Sequence, residues 1–476
     1  MSKVIVLGGG VCGLASGLML ARDGHDVTVL ERDPAPVPDT PERAWDTWER
    51  GGVAQFRQAH YLHTRARHLL EAELPDVRDA LVAAGATRID WTRMLPPTIA
   101  DREPRPGDER LWTLTARRTT LEHALARAAE AQDGVVVRRG VAATRLEART
   151  RYGGLHVGGV WTDGGERLTA DLVVDATGRR SKLPALIGEA GGPQVAEVAE
   201  DSGFVYYTRF FRSADGSMPA VRGPFAIPYE SFTVLGLPAD ACTWSVTLYA
   251  ASGDQPLKRL RHEPAWTAVV RACPAHAHWL DGEAMTGVLP MGGIVDRRRR
   301  IQGDSAVTGV ALLGDAWACT NPSLGRGIAL GLSHAALLRG VVREHLGDPD
   351  AFARGWDEAT ERELTPWYEA TVAVDRARLA DLRAAQTGGP YTVPADAASR
   401  VRAALALAMG VDADVFRAAL EIMGCLSLPS EVLGRPGMAE RVLAAAAGGD
   451  SRRVPGPGRE ELLELLSSAD APAAAR

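Results

Sequence analysis

Apolar residues recur at distinct spacings along the chain, and each spacing predicts a different element. Val4 to Leu7 is a continuous apolar run with the length of a buried parallel strand. Val11 to Arg22 has helical character and Asp26 to Leu30 reads as a second strand, so residues 1–32 form a βαβ unit. Pro34, Pro36, Pro38 and Pro41 then break the pattern. Leu62, Leu69, Leu70, Leu74, Leu81 and Val82 predict a helical stretch over 57–85, interrupted at Pro75. Thr119 to Ala131 predicts another helix, Gly134 to Val137 a strand, and 141–174 a β-meander ending in the buried run Ala170 to Val174.

Over residues 200–300 the period shifts to two. In Phe204 to Phe211, Phe204, Tyr206 and Phe210 share one face, while Tyr207, Arg209 and Phe211 share the other. In Thr243 to Tyr249, Trp244, Val246 and Leu248 alternate with Thr243, Ser245 and Thr247. Val307 to Leu313 predicts one more buried strand and Gly325 to Val342 a helix with small residues at Gly327 and Gly331. Beyond 345 the chain reads as Ala-rich helix, with 471–476 expected to fray. The order predicts an α/β nucleotide domain carrying a β-rich insertion.

Composition narrows the class. Apolar residues at 46% and charged residues at 24% exclude a largely disordered chain. The 54 basic and 60 acidic residues give −6, so neither nucleic acid nor anionic lipid is an expected partner. The five cysteines form no CxxC pair, which predicts a reduced cytoplasmic protein without disulfides or a metal site. Lysines occur only at Lys3, Lys182 and Lys258, leaving few candidates for amine chemistry. No signal-peptide layout or bilayer-length apolar run is present, so membrane insertion is not expected.

Gly8-Gly9-Gly10-Val11-Cys12-Gly13 is a GxGxxG between a strand and a helix. Gly8 allows the tight turn, Gly10 the close approach of a pyrophosphate, and Gly13 close helix–strand packing. The helix N-terminus offers free N–H groups to the diphosphate. Glu31, closing the second strand, is placed to accept hydrogen bonds from a ribose 2′-OH and disfavours the 2′-phosphate of NADP there. This motif alone leaves NAD and FAD open.

Two later segments separate them. One is Val173-Val174-Asp175-Ala176-Thr177-Gly178-Arg179-Arg180-Ser181; the other runs Leu312-Leu313-Gly314-Asp315-Ala316 and on through Asn321-Pro322-Ser323-Leu324-Gly325-Arg326-Gly327. With these, residues 1–345 resemble the FAD-dependent monooxygenase superfamily of the glutathione-reductase-like fold, which includes aromatic hydroxylases, epoxidases, halogenases and geranylgeranyl-reductase-like proteins. The resemblance implies a Rossmann-type FAD-binding domain over 1–200 and 301–345, an inserted antiparallel β-sheet substrate domain over 201–300, and a helical C-terminal region over 346–476. Arg118, before the helix at Thr119, looks like the family's FAD-contacting arginine. By the same resemblance Gly314 and Asp315 hold the ribityl and diphosphate region, and Pro322, Gly325 and Gly327 lie against the pyrimidine edge of the flavin. Backbone N–H groups at that helix start suit a reduced flavin's negative charge.

Ala318 and Ala329 stand where the aromatic hydroxylases carry histidine and asparagine, Thr177-Gly178 replaces their Asp-Gly pair, and Pro184 stands in place of their arginine. The chain therefore looks closer to the epoxidase, halogenase and reductase branch. Halogenation is disfavoured, because no lysine occurs between Val4 and Ser181. The resemblance implies a monooxygenase that uses FAD, NADH or NADPH and O₂ to hydroxylate or epoxidise an apolar or aromatic small molecule through a flavin C4a-hydroperoxide. Electrons come from the nicotinamide directly or through a separate flavin reductase. The alternatives are a prenyl-reductase-like double-bond reductase and a non-catalytic nucleotide-fold binder.

Tyr206, Tyr207, Phe210 and Trp244 are candidate substrate contacts, each with core packing as the competing role. Arg57 is a candidate flavin or substrate contact, with a structural ion pair as its alternative. His60, His63 and His68 are expected on a helix, with His60 and His63 lacking an acid partner at metal-ligand spacing, so metal binding is not expected. His276 and His278 are expected at the surface or in packing, and Arg297 to Arg300 in a solvated loop.

Overall fold

The computed structural model describes residues 1–151, 154–301, 307–389, 393–394, 396–448 and 454–468. The expected fraying of 471–476 lies outside the described residues.

Five parallel strands form the central sheet, in the order Val310–Leu312, Leu172–Asp175, Lys3–Leu7, Asp26–Glu31, Val135–Arg139. The apolar runs within Lys3–Leu7, Leu172–Asp175 and Val310–Leu312 are continuous rather than alternating because both faces are covered, whereas Val136 on the edge strand is exposed. Helix Val11–Arg22 lies against the sheet with Leu14, Ala15, Leu18, Met19 and Leu20 fully buried. Close packing at its start requires glycine: a Cβ on Gly13 would stand 1.9 Å from the Gly8 carbonyl oxygen. Helix Gly327–His345 packs on the same helix, with Leu332 and Leu338 fully buried in the shared core.

The period-two segments form a separate antiparallel sheet. Its main path is Ala226–Pro228, Thr233–Pro238, Thr243–Ala251, Phe204–Arg212 and Glu283–Ala284, with Leu289–Met291 also paired to Phe204–Arg212. A buried ion pair ties this sheet to helix Arg118–Ala131. Asp240 accepts from the Arg117 backbone N at 2.6 Å and from its guanidinium at 2.6 Å, and from Thr120 Oγ1 at 2.9 Å.

Several segments differ from the sequence expectation. The helical stretch expected over 57–85 is two helices, Thr64–Glu73 and Pro75–Ala83, and residues 57–63 are turn and extended chain. Pro75 starts the second helix because a missing N–H costs nothing at that position. His60 and His63 therefore precede the helix. Val307 to Leu313 is not one strand: Val307–Thr308 and Val310–Leu312 join different sheets, separated by Gly309 at φ 73°. The helix expected from Gly325 starts at Gly327 and runs to His345, since Gly325 is left-handed at φ 64°.

Arg297 to Arg300 is also not a loop. It belongs to strand Val295–Arg300, paired with Ala196–Asp201. The four arginines are accommodated because acids meet them. Glu197 takes Arg297 at 3.2 Å and Arg299 at 2.7 Å, Glu361 takes Arg298 at 3.5 Å, and Asp357 takes Arg300 at 2.6 Å. His276 is buried, its Nε2 hydrogen-bonded to the Phe225 carbonyl. No described helix is long and apolar enough to cross a membrane.

Candidate functional site

A cavity of about 550 Å³ lies at the carboxyl ends of the central strands. Gly8, Gly10, Glu31, Arg118, Gly314, Asp315, Pro322, Gly325 and Gly327 all line it, although they come from five parts of the chain. Gly13 does not line it; its part is the close helix–strand contact. A Cβ built on Gly10 meets no atom within 4 Å, so the space in front of the glycine turn is open to a ligand. Three features fit a dinucleotide there: the bare backbone, the start of helix Val11–Arg22, and an acid at the end of the second strand.

Glu31 is held rigidly. It is 5% exposed, and its carboxylate accepts from Gly9 N and Asp33 N, each at 2.9 Å. Arg50 binds it at 2.8 Å and also reaches Glu122 at 3.0 Å, the Gly9 carbonyl at 3.0 Å and Asp33 at 3.4 Å. This buried guanidinium, 4% exposed, neutralises the acids beneath the turn. Its separations of 19 and 72 residues from Glu31 and Glu122 leave no local signal for it in the sequence.

Arg118 donates to Glu122 at 2.6 Å and its other arm points at His60 Nε2, 3.2 Å away. His60 Nδ1 lies 2.9 Å from the Gln58 carbonyl, so it carries the proton and Nε2 accepts from Arg118. Burial, and then Arg118, lowers the imidazole to about 3, so His60 is neutral at physiological pH. Asp315 faces the cavity with its carboxyl raised by burial and opposed by Arg118 and Arg179. The Cys12 thiol is pushed up to about 12, by burial first and Asp315 second, which leaves it a poor nucleophile.

The turn before Asp315 rests on a histidine. His334, 1% exposed and stacked on Trp356 at 4.5 Å, accepts from the Gly314 N–H at 3.1 Å through Nδ1. Its Nε2 meets Thr360 Oγ1 at 3.2 Å, and burial lowers the ring to about 3, keeping the acceptor nitrogen free of a proton. Asp175 shapes the neighbouring turn by accepting from Thr177 N at 2.9 Å and from the Thr177 and Ser181 hydroxyls.

The aromatic candidates stand elsewhere. Tyr207 and Trp244 are in the core of the antiparallel sheet, where Trp244 Nε1 donates to the Trp279 carbonyl at 2.8 Å and Trp266 Nε1 to the Tyr207 carbonyl at 2.9 Å. Phe210 packs on Trp45 at 4.7 Å. Tyr206 is buried as well, but its hydroxyl donates at 2.7 Å to Asn321, which lines the cavity. Alternation identified the strand faces but not which face the cavity adjoins. Arg57 does not line the cavity; it donates to the carbonyls of Trp45 at 3.0 Å and Trp48 at 3.3 Å. Among the described residues no group of three or more His, Cys, Asp or Glu is placed to hold a metal ion.

A glycine turn on a parallel sheet, a buried acid at the second strand and a second glycine-rich turn across one cavity define a flavin-nucleotide oxidoreductase fold. The chain belongs to the family of FAD dependent oxidoreductases, whose pattern matches residues 3–329. It is 27% identical over 376 residues to Protein Rv3254 of Mycobacterium tuberculosis, covering 71% of this chain and 72% of that protein. It is 30% identical over 190 residues to the FAD-dependent monooxygenase fsr3 of Gibberella fujikuroi, covering 39% of this chain and 33% of that protein. Among solved structures, PqsL of Pseudomonas aeruginosa, titled a probable FAD-dependent monooxygenase, superposes with TM-score 0.59 at 16% identity, covering 80% of this chain and 99% of PqsL. The oxygenase of 2-methyl-3-hydroxypyridine-5-carboxylic acid gives TM-score 0.56 at 20% identity, covering 82% and 94%. At these identities the structural likeness is one of fold.

Proposed function

We propose that the protein is an FAD-dependent monooxygenase that uses NADH or NADPH and O₂ to hydroxylate or epoxidise an apolar or aromatic small molecule. The observation that carries this reading is the continuity of the cavity. The residues suited to a dinucleotide share it with an apolar set, Met291, Ile294, Val295 and Tyr368, suited to an organic substrate. The monooxygenase and oxygenase names of fsr3, PqsL and the pyridine-carboxylate enzyme support the same reaction class.

Gly8 and Gly10 would accept the pyrophosphate at the start of helix Val11–Arg22, and Glu31, fixed by Arg50, would accept the ribose hydroxyls. Arg118 and the Gly314-Asp315 turn would bracket the middle of the dinucleotide, and Pro322 to Gly327 would bound the ring end. A bound FAD would supply the redox chemistry, electron transfer from the nicotinamide to O₂. The chain itself binds, orients and excludes water. With His60 neutral and the Cys12 thiol protonated, neither supplies a charged nucleophile to the cavity. The antiparallel sheet contributes to the wall through Met291, beside Tyr206 in the strand register, rather than through Tyr207, Phe210 or Trp244.

The test is the purified protein's spectrum, followed by nicotinamide oxidation in air. A flavin band at about 450 nm that bleaches with NADH or NADPH under argon and returns with O₂ supports the reading. Stoichiometric FAD that no nicotinamide or flavin reductase can reduce would count against it.

A further inference from the structure

Helix Thr365–Gln386 lies beyond the residues that match the family, yet it grips the turn that walls the cavity. Arg326 donates to its Thr371 at 3.0 Å and lies 5.2 Å over its Trp367. Its Asp375, 3% exposed, accepts from the Ser323 hydroxyl through Oδ1, while Oδ2 has no hydrogen-bond partner among the described residues. Beside it Asn321, 1% exposed, accepts from the Tyr206 hydroxyl at 2.7 Å and donates its backbone N–H to Asp296 at 2.6 Å. Its Nδ2 is also without a hydrogen-bond partner among the described residues. A buried donor and a buried acceptor thus stand unmatched on the two sides of the contact between helix and turn.

We infer that Asp375 is a positioning residue for the cavity wall, setting the Asn321–Gly325 turn through Ser323 and Asn321. The inference takes the cavity to be the flavin site, as proposed above. An ionised Asp375 is an acceptor for both Ser323 Oγ and Asn321 Nδ2. A protonated Asp375 gives up the charge that strengthens both bonds, and its proton must either reverse the Ser323 contact or oppose the amide N–H₂. Asn321 can flip its amide only by reversing the Tyr206 bond, with the phenol oxygen then accepting from Nδ2. The turn is therefore held when Asp375 is charged and loosened when it is neutral.

The surroundings set where that change falls. Burial raises the Asp375 carboxyl to about 7, opposed by the Ser323 hydroxyl bond and the nearby Asn321 amide; Asp296 raises it further and Arg326 lowers it. Tyr206 and Tyr249 face it from the antiparallel sheet, with Arg378 next to Tyr249. Because the folded carboxyl sits above its usual range, the stability it contributes is present in acid and is lost as pH rises toward about 7. Holding the turn thus costs the fold stability, and an amide at this position relieves that cost.

The experiment compares wild type, Asp375→Asn and Ser323→Ala by hydrogen exchange of the 319–328 segment in the apoprotein, corrected for intrinsic rates. At about pH 8, both variants should exchange Ser323 to Gly325 roughly tenfold faster than wild type, the equivalent of one pKa unit. Helix Val11–Arg22 should be unaffected, and Asp375→Asn should melt no lower than wild type. Wild type should reach the variant's rate below about pH 6, and its FAD affinity should weaken over the same interval while that of Asp375→Asn stays flat. Exchange in Asp375→Asn equal to wild type at every pH overturns the inference. So does a lower melting temperature with faster exchange throughout the chain, which marks a merely structural contact. Absence of FAD binding in wild type would sink the flavin reading instead, and the apoprotein exchange would still decide the role of Asp375.

Discussion

Replacing Arg50 by methionine removes the guanidinium that hydrogen-bonds to Glu31, Glu122 and Asp33 beneath the glycine turn. Methionine keeps most of the side-chain volume, so the perturbation is chiefly electrostatic. Glu122 retains Arg118 at 2.6 Å, whereas Glu31 is left with hydrogen bonds from the Gly9 and Asp33 N–H groups among the described residues. Breaking a buried pair by removing one partner costs about 3 to 5 kcal/mol, and the retained N–H bonds place Arg50→Met toward about 3. The Gly9 carbonyl also loses its 3.0 Å donor, so the turn should loosen and FAD affinity fall by at least about tenfold. Urea unfolding and FAD titration measure the two effects. Glu31→Gln/Arg50→Met completes a double-mutant cycle, in which the second substitution should recover about 1 to 3 kcal/mol of stability relative to additivity. If Arg50→Met unfolds like wild type and binds FAD normally, the buried network is not what supports the turn.

Other substitutions separate binding from folding. Gly10→Ala should leave apoprotein stability within about 0.5 kcal/mol but abolish FAD retention, because its Cβ enters open space that the pyrophosphate needs. Gly13→Ala should instead lose at least about 1 to 3 kcal/mol, since its Cβ meets the Gly8 carbonyl; chemical denaturation distinguishes the pair. His334→Leu strands the buried Gly314 N–H and should cost about 1 to 3 kcal/mol with weaker FAD binding; normal binding would show that the turn needs no support from below. Arg57→Ala should lower stability by about 1 kcal/mol, through the Trp45 and Trp48 carbonyls, and leave the flavin spectrum unchanged. Trp244→Phe should destabilise by a similar amount, about 1 kcal/mol, without raising H₂O₂ release during turnover.

The parts legible in the sequence are those whose signal is local. A continuous apolar run marks a strand buried on both faces, and Gly8, Gly10 and Gly13 mark a left-handed turn, an open ligand side and a close helix contact, so the βαβ unit and its ligand-facing turn follow from adjacent residues. Glu31 is legible for the same reason. Arg50, His60 and His334 are not, because their roles arise from contacts with residues far along the chain. The aromatic strand Phe204–Arg212 shows the limit of periodicity: alternation separates two faces, but both are buried and neither presents Tyr207 or Phe210 to the cavity. The four arginines misled for a related reason, since the acids that let them form a strand lie on other segments.

A monooxygenase would leave an atom of O₂ in an organic substrate held in this cavity. The most direct measurement supplies NADH or NADPH, ¹⁸O₂ and a compound that accelerates nicotinamide oxidation, and follows the product by mass spectrometry. The account predicts one ¹⁸O atom in the product and no turnover under argon. Product formed at an undiminished rate without oxygen, two hydrogens heavier than its substrate and free of ¹⁸O, would contradict it and identify a double-bond reductase.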